Sequence, residues 1–186
     1  ANFDVINKPA APSTFTATPD AYSAVLEWSE PDDGGSTITG YRAVASGAGG
    51  QYCTATTELT CTVTGLSRNT SYTFTLTTTN AAGTSVVKSA SVLVPDYPGV
   101  PTSVATLPAD RSALVEWLPP SSDGGSPITL YTVRFWAALT GGEAPVATCD
   151  TGTIFCIATG LVNGKSYWVD VVSTNAVGSS LTATSP

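Results

Sequence analysis

The side chains able to do chemistry in this chain are few: four cysteines and fourteen Asp plus Glu, with no histidine. With no histidine, and with every cysteine expected in a disulfide, a Ser or Cys nucleophile lacks its usual base. A carboxylate pair could still hydrolyse a glycoside, and Asp32 and Asp33 are adjacent. Neighbours in a loop point apart, however, and Asp-Gly-Gly is ordinary turn chemistry. The same loop offers too few of the roughly six to eight oxygens that calcium takes. The expectation is a non-enzyme with no catalytic residue, no metal site and no cofactor.

The cysteines fall as Cys53 and Cys61, then Cys149 and Cys156. Four cysteines permit about three connectivities, and internal duplication of the chain selects Cys53 with Cys61 and Cys149 with Cys156. Each bond closes a short loop, worth about 2–3 kcal/mol in the chain-entropy account. Four thiolates could instead hold zinc, but the spacings are far from C-x2-C and the pairs lie in different copies. Paired cysteines point to an oxidising compartment, and so to an extracellular protein, secreted or on the cell surface.

The elements that carry these residues are written twice. Ser-Ala-Val-Leu-Glu-Trp28 and Ser-Ala-Leu-Val-Glu-Trp117 are 89 positions apart, while Tyr72/Tyr167, Asn80/Asn175 and Gly83/Gly178 are 95 apart. A fixed period means two copies of one domain, with insertions in loops. The domains are placed at 9–96 and 97–186, with 1–8 a leader or the tail of a preceding copy. Copy two reaches Pro186, the counterpart of Ser91, so its last strand is expected to be truncated. Phe3-Asp4-Val5-Ile6 falls at the repeat position of 92–95, which makes an excised fragment the expectation. Period-two alternation places strands in copy one near 13–17, 24–28, 39–45, 51–54, 61–64, 71–79 and 84–94. That spacing builds a two-sheet β-sandwich, an all-β fold. A net charge of −7 repels phosphate backbones and anionic lipid, which argues against nucleic acid as a partner. No apolar run is long enough to insert in a membrane.

Both copies resemble the fibronectin type III family over essentially the whole chain. The residues that carry the likeness are Trp28 and Trp117, each with a following proline (Pro31, Pro120), then Asp-Gly-Gly-Ser and Ile-Thr before Tyr41 and Tyr131. Leu66 and Leu161 follow, six residues before Tyr72 and Tyr167, and last comes Asn-Ala-x-Gly at 80–83 and 175–178. The resemblance implies two immunoglobulin-like seven-stranded sandwiches in tandem, with sheets A-B-E and C′-C-F-G. Trp28, Tyr41, Leu66 and Tyr72, with Trp117, Tyr131, Leu161 and Tyr167, would form the cores, Tyr72 and Tyr167 as tyrosine corners. By position each cysteine pair would tie strand C′ to strand E, an addition associated with extracellular members of the family.

Copy two departs from copy one on strands C and F. With Tyr131, Val133 and Phe135 facing inward, alternation turns Arg134 and Trp136 outward; on strand F it turns Trp168 and Asp170 outward. The family's strand order puts these four on one face, where copy one has Arg42, Val44, Thr73 and Thr75 at or near the same places. Two exposed tryptophans beside an arginine make a candidate binding patch for a protein or glycan surface. The plainer alternatives are a shield, with Arg134 over Trp168 and paired to Asp170, or packing against a neighbouring domain of the same chain. Asn69-Thr70-Ser71 is a glycosylation sequon, relevant only in a eukaryotic source. The proline-rich stretch 94–101 reads as a semi-rigid connector with Tyr97 packed in the joint, which makes an extended tandem. The expected role is a non-catalytic structural and adhesive spacer of a larger secreted or cell-surface protein. The alternatives are an accessory region of a secreted polysaccharide-degrading enzyme and a subunit segment of an extracellular filament or virion.

Overall fold

Alternating apolar and hydroxyl-bearing residues make this chain a series of antiparallel strands, and no helix occurs among the described residues. The computed structural model describes residues 5–47, 49–137 and 144–184. They form two units, Ala1–Pro95 and Asp96–Pro186. Phe3, Asp4 and Pro186, invoked above for the ends of the repeat, lie outside the described residues.

In unit 1, β1 (Phe15–Asp20), β2 (Ser23–Trp28) and β5 (Thr60–Thr64) form one sheet in the order β1-β2-β5. The second sheet runs β4 (Tyr52–Ala55), β3 (Gly40–Ala45), β6 (Thr70–Asn80), with β7 (Gly83–Thr84) and β8 (Lys88–Val94) both paired to β6. Unit 2 repeats the plan. Its first sheet is ordered β13-β10-β9, from β9 (Thr102–Ala109), β10 (Ser112–Leu118) and β13 (Phe155–Thr159). Its second is ordered β12-β11-β14-β15, from β11 (Leu130–Trp136), β12 (Ala147–Thr151), β14 (Trp168–Thr174) and β15 (Ala183–Thr184).

Period-two alternation decides which residues fill each core. On β6, Tyr72, Phe74, Leu76 and Thr78 turn inward, and on β2 Ala24, Leu26 and Trp28 do. Trp28 meets Tyr41 across the sheets at 5.2 Å between ring centroids, and Trp117 meets Tyr131 at 5.4 Å. Neither buried indole N–H has a hydrogen-bond partner among the described residues, so the two tryptophans act through packing. Burial also pushes the Tyr41 and Tyr131 phenols above the ordinary tyrosine range, with Glu30 adding to the effect at Tyr41. The Tyr72 hydroxyl accepts the Ser67 N–H, and the Tyr167 hydroxyl accepts the Val162 N–H, each at 3.0 Å. Cys53–Cys61 joins β4 to β5 and Cys149–Cys156 joins β12 to β13, so each disulfide ties the edge strands of the two sheets together.

Two expectations need correction. The strand expected at 84–94 is two strands, β7 and β8, interrupted at 85–87. Ser85 Oγ accepts the Thr78 N–H at 3.0 Å and donates to the Val86 carbonyl at 2.9 Å, which lifts the chain out of the ladder. Ser180 does the same in unit 2 with Ser173 and Leu181. Tyr167, expected in the core, is only partly buried. A cavity of about 230 Å3 opens beside it, lined by Thr106, Pro108, Phe135, Leu161 and Val169. In unit 1 the corresponding place is filled by β8, whose Val94 is fully buried.

Candidate functional site

The polar loop residues prove to be structural. Asp32 Oδ1 accepts the Gly34 N–H and Asp33 Oδ1 the Gly35 N–H, each at 2.8 Å, so both carboxylates close their own turns. Gly34 and Gly124 have positive φ, and a Cβ on either would collide with the carbonyl oxygen of Asn7 or Asp96. That close approach is enforced by a buried asparagine. Asn80 Nδ2 donates to the Asn7 and Asp33 carbonyls at 2.7 Å each, and Asn175 Nδ2 donates to those of Asp96 and Asp123 at 2.8 Å each. Each asparagine therefore staples the incoming chain of its unit to the Asp-Gly-Gly loop. The ring of Tyr97 lies over Gly178 within the same unit. Asn69 is exposed with φ +49°, a left-handed position that glycine fills in unit 2 at Gly164.

The candidate patch is built by β11 and β14. Their register sets Arg134 directly opposite Asp170 and Trp136 directly opposite Trp168, all four on the outer face of the sheet. Arg134 Nε donates to Asp170 Oδ1 at 2.7 Å, and Trp136 Nε1 donates to Asp170 Oδ2 at 2.9 Å. Asp170 is only 9% exposed although it points outward. A carboxylate so covered must be paired and hydrogen-bonded to be tolerated, and both of its oxygens are engaged here. The guanidinium lies over the Trp136 ring at 5.6 Å. The shield pictured from sequence set Arg134 over Trp168; its aromatic partner is Trp136, two residues along the same strand and therefore on the same face.

This arrangement divides the four residues. Arg134, Asp170 and Trp136 form a closed network, and Trp136 is half-buried rather than substantially exposed. Trp168 lies outside that network's hydrogen bonds and is 46% exposed. Beside it runs a shallow trough of about 350 Å3, with Val172 and Thr132 facing Ser180 and Leu181. In unit 1 the same face is furnished by hydroxyls, Thr73 Oγ1 with Ser91 Oγ and Thr75 with the Val44 carbonyl. There Arg42 lies over Tyr52 at 4.6 Å, a pair the sequence reading missed. Its signal was present: Tyr52 precedes an inward cysteine, so alternation turns it outward.

Among the described residues no group of three or more potential metal ligands converges, and no helix is long and apolar enough to cross a membrane.

Comparison with known proteins gives a consistent picture. The fibronectin type III domain profile matches residues 10–94 and again 100–186. Exoglucanase B of Cellulomonas fimi is 30% identical over 156 residues, covering 77% of this chain and 14% of that protein. Protein sidekick-1 of Gallus gallus is 27% identical over 193 residues, covering 96% of this chain and 9% of that protein. Among solved structures, domains A168–A170 from titin superpose with a TM-score of 0.57 at 22% identity, covering 96% of this chain and 63% of that one. That likeness concerns the fold alone. The chain thus spans a small part of the length of the curated relatives it matches.

Proposed function

This chain belongs to the fibronectin type III family, and from that premise we propose that it is a non-catalytic structural and adhesive spacer of a larger secreted or cell-surface protein, with Trp168 as the centre of its contact surface. The chemistry of both units is spent on holding the sandwich. Each has a disulfide between sheet edges and an asparagine that fastens the entering chain. The disulfides favour an oxidising, extracellular setting.

The observation that carries the contact surface is the exposure of Trp168 beside a network that is already satisfied. A rigid aromatic face next to fixed polar groups gives large contact area at little ordering cost. A glycan is favoured over a charged ligand, because Arg134 is neutralised by Asp170 and the chain is strongly acidic. The relative named as an exoglucanase agrees with that reading. The test is co-sedimentation of the intact chain with insoluble polysaccharides, crystalline cellulose and chitin first, beside the Trp168→Ser variant. Saturable binding by the native chain that falls at least tenfold in the variant supports the glycan reading. Equal retention of both proteins, or of neither, contradicts it.

A further inference from the structure

The two units also differ on the opposite sheet. Register sets Leu107, Leu114 and Ile157 side by side across β9, β10 and β13, and sets Ala105, Glu116 and Phe155 in the next row. Their alternate neighbours Ala113, Val115, Trp117, Cys156 and Ala158 are buried in the core, so these rows point outward. Leu107 is 65% exposed, Ile157 61%, Leu118 54% and Phe155 48%. The same places in unit 1 hold Thr18, Val25 and Thr62, then Thr16, Glu27 and Thr60. Unit 1 folds with threonines there, so the sandwich does not require the larger apolar residues of unit 2. Together they expose on the order of 450 Å2 of contiguous apolar surface, large for a free monomer face.

We propose that this face is a homodimer interface, in which two copies stack their β13-β10-β9 sheets about a two-fold axis lying along the Leu107, Leu114 and Ile157 row. Sheet faces pack in this way with interdigitating side chains, and an isologous contact brings each of the three residues against its own equivalent. Doubled across the axis, the patch with its rim buries on the order of 1,000 Å2, near the lower limit for a specific interface. The dimer is therefore weak and reversible. Charge decides the arrangement. Each chain carries net −7, so a face nearly free of charge is where two copies can approach. The one carboxylate in the rows, Glu116, is turned by this axis toward Ser112 of the partner subunit at the rim. The two glutamates do not oppose each other. The interface lies on the sheet opposite to Trp168, so a dimer would present two tryptophan faces outward, and the inference does not depend on what those faces bind.

The experiment is analytical ultracentrifugation of the intact chain from micromolar to millimolar concentration, at low and high salt. A reversible monomer–dimer equilibrium is expected, tightening with salt as like-charge repulsion is screened. Leu107→Thr combined with Ile157→Thr, the residues unit 1 has in these places, should raise the dimer Kd at least tenfold while the unfolding midpoint shows the protein still folded. Trp168→Thr should leave the dimer intact. A protein that stays monomeric throughout, or a dimer that survives the double threonine variant, overturns the proposal.

Discussion

Tryptophan and tyrosine do different work in each unit, and the difference has a measurable size. Trp28 and Trp117 are buried against Tyr41 and Tyr131 with no hydrogen bond to lose, so Trp28→Ala or Trp117→Ala leaves a cavity costing about 3–5 kcal/mol. Tyr72→Phe and Tyr167→Phe each remove one hydrogen bond to a turn amide and should cost about 1–2 kcal/mol. Denaturant unfolding of the four variants checks the order; Phe variants costlier than the Ala variants would contradict the core assignment. These roles were legible because alternation and a doubled motif both mark the same residues. The position of Arg134, Asp170 and Trp168 on one face was legible for the same reason. That Asp170 engages two donors at once was not, since alternation gives the side of a sheet and not the reach of a side chain. It is the reach of Trp136 Nε1 to Oδ2 that takes this tryptophan out of the exposed set and leaves Trp168.

At the level of elements, strands follow from period-two patterning, but their interruptions do not. Residues 84–94 alternate well enough to read as one strand, and Ser85 breaks them by bonding to the backbone on either side. Nothing in the pattern separates a serine that points outward in a ladder from one that replaces the ladder. The Asn80 and Asn175 staples were similarly visible only as a motif. Their mechanism is that a buried amide satisfies two carbonyls, one from the entering chain and one from the Asp-Gly-Gly loop. Asn175→Ala leaves the Asp96 and Asp123 carbonyls without that donor, and should cost about 2–4 kcal/mol. Hydrogen exchange gives the local check. The Asp96 amide, bonded to the Gly124 carbonyl at 2.8 Å, should lose protection while the β10 and β11 amides keep theirs. Loss spread evenly over the unit would mean that the asparagine supports the core rather than the entering segment.

Over the whole molecule, the two copies act as controls for each other. Where they agree, in the tryptophan pairs, tyrosine corners, asparagine staples and disulfides, the residues hold the sandwich. Where they differ on a surface, the fold has no use for the difference, and function is to be sought there. Unit 2 differs on both outer faces, with Trp168 on one and Leu107, Ile157 and Phe155 on the other, against Thr73 and a set of threonines in unit 1. The repeat made the first of these differences legible; the second becomes apparent once the register aligns residues from three strands in one row. The central claim is that Trp168 serves contact while Arg134, Asp170 and Trp136 serve the sheet. The most direct test is the unfolding free energy of Trp168→Thr measured beside that of Asp170→Ala. Trp168→Thr installs the residue unit 1 carries and should change stability by no more than about 0.5 kcal/mol, as for a surface substitution away from structural contacts. Asp170→Ala removes the acceptor of two donors, one of them charged, and should cost about 1.5–3 kcal/mol. A Trp168→Thr variant destabilised as much as Asp170→Ala would contradict the claim, because the tryptophan would then be part of the shield.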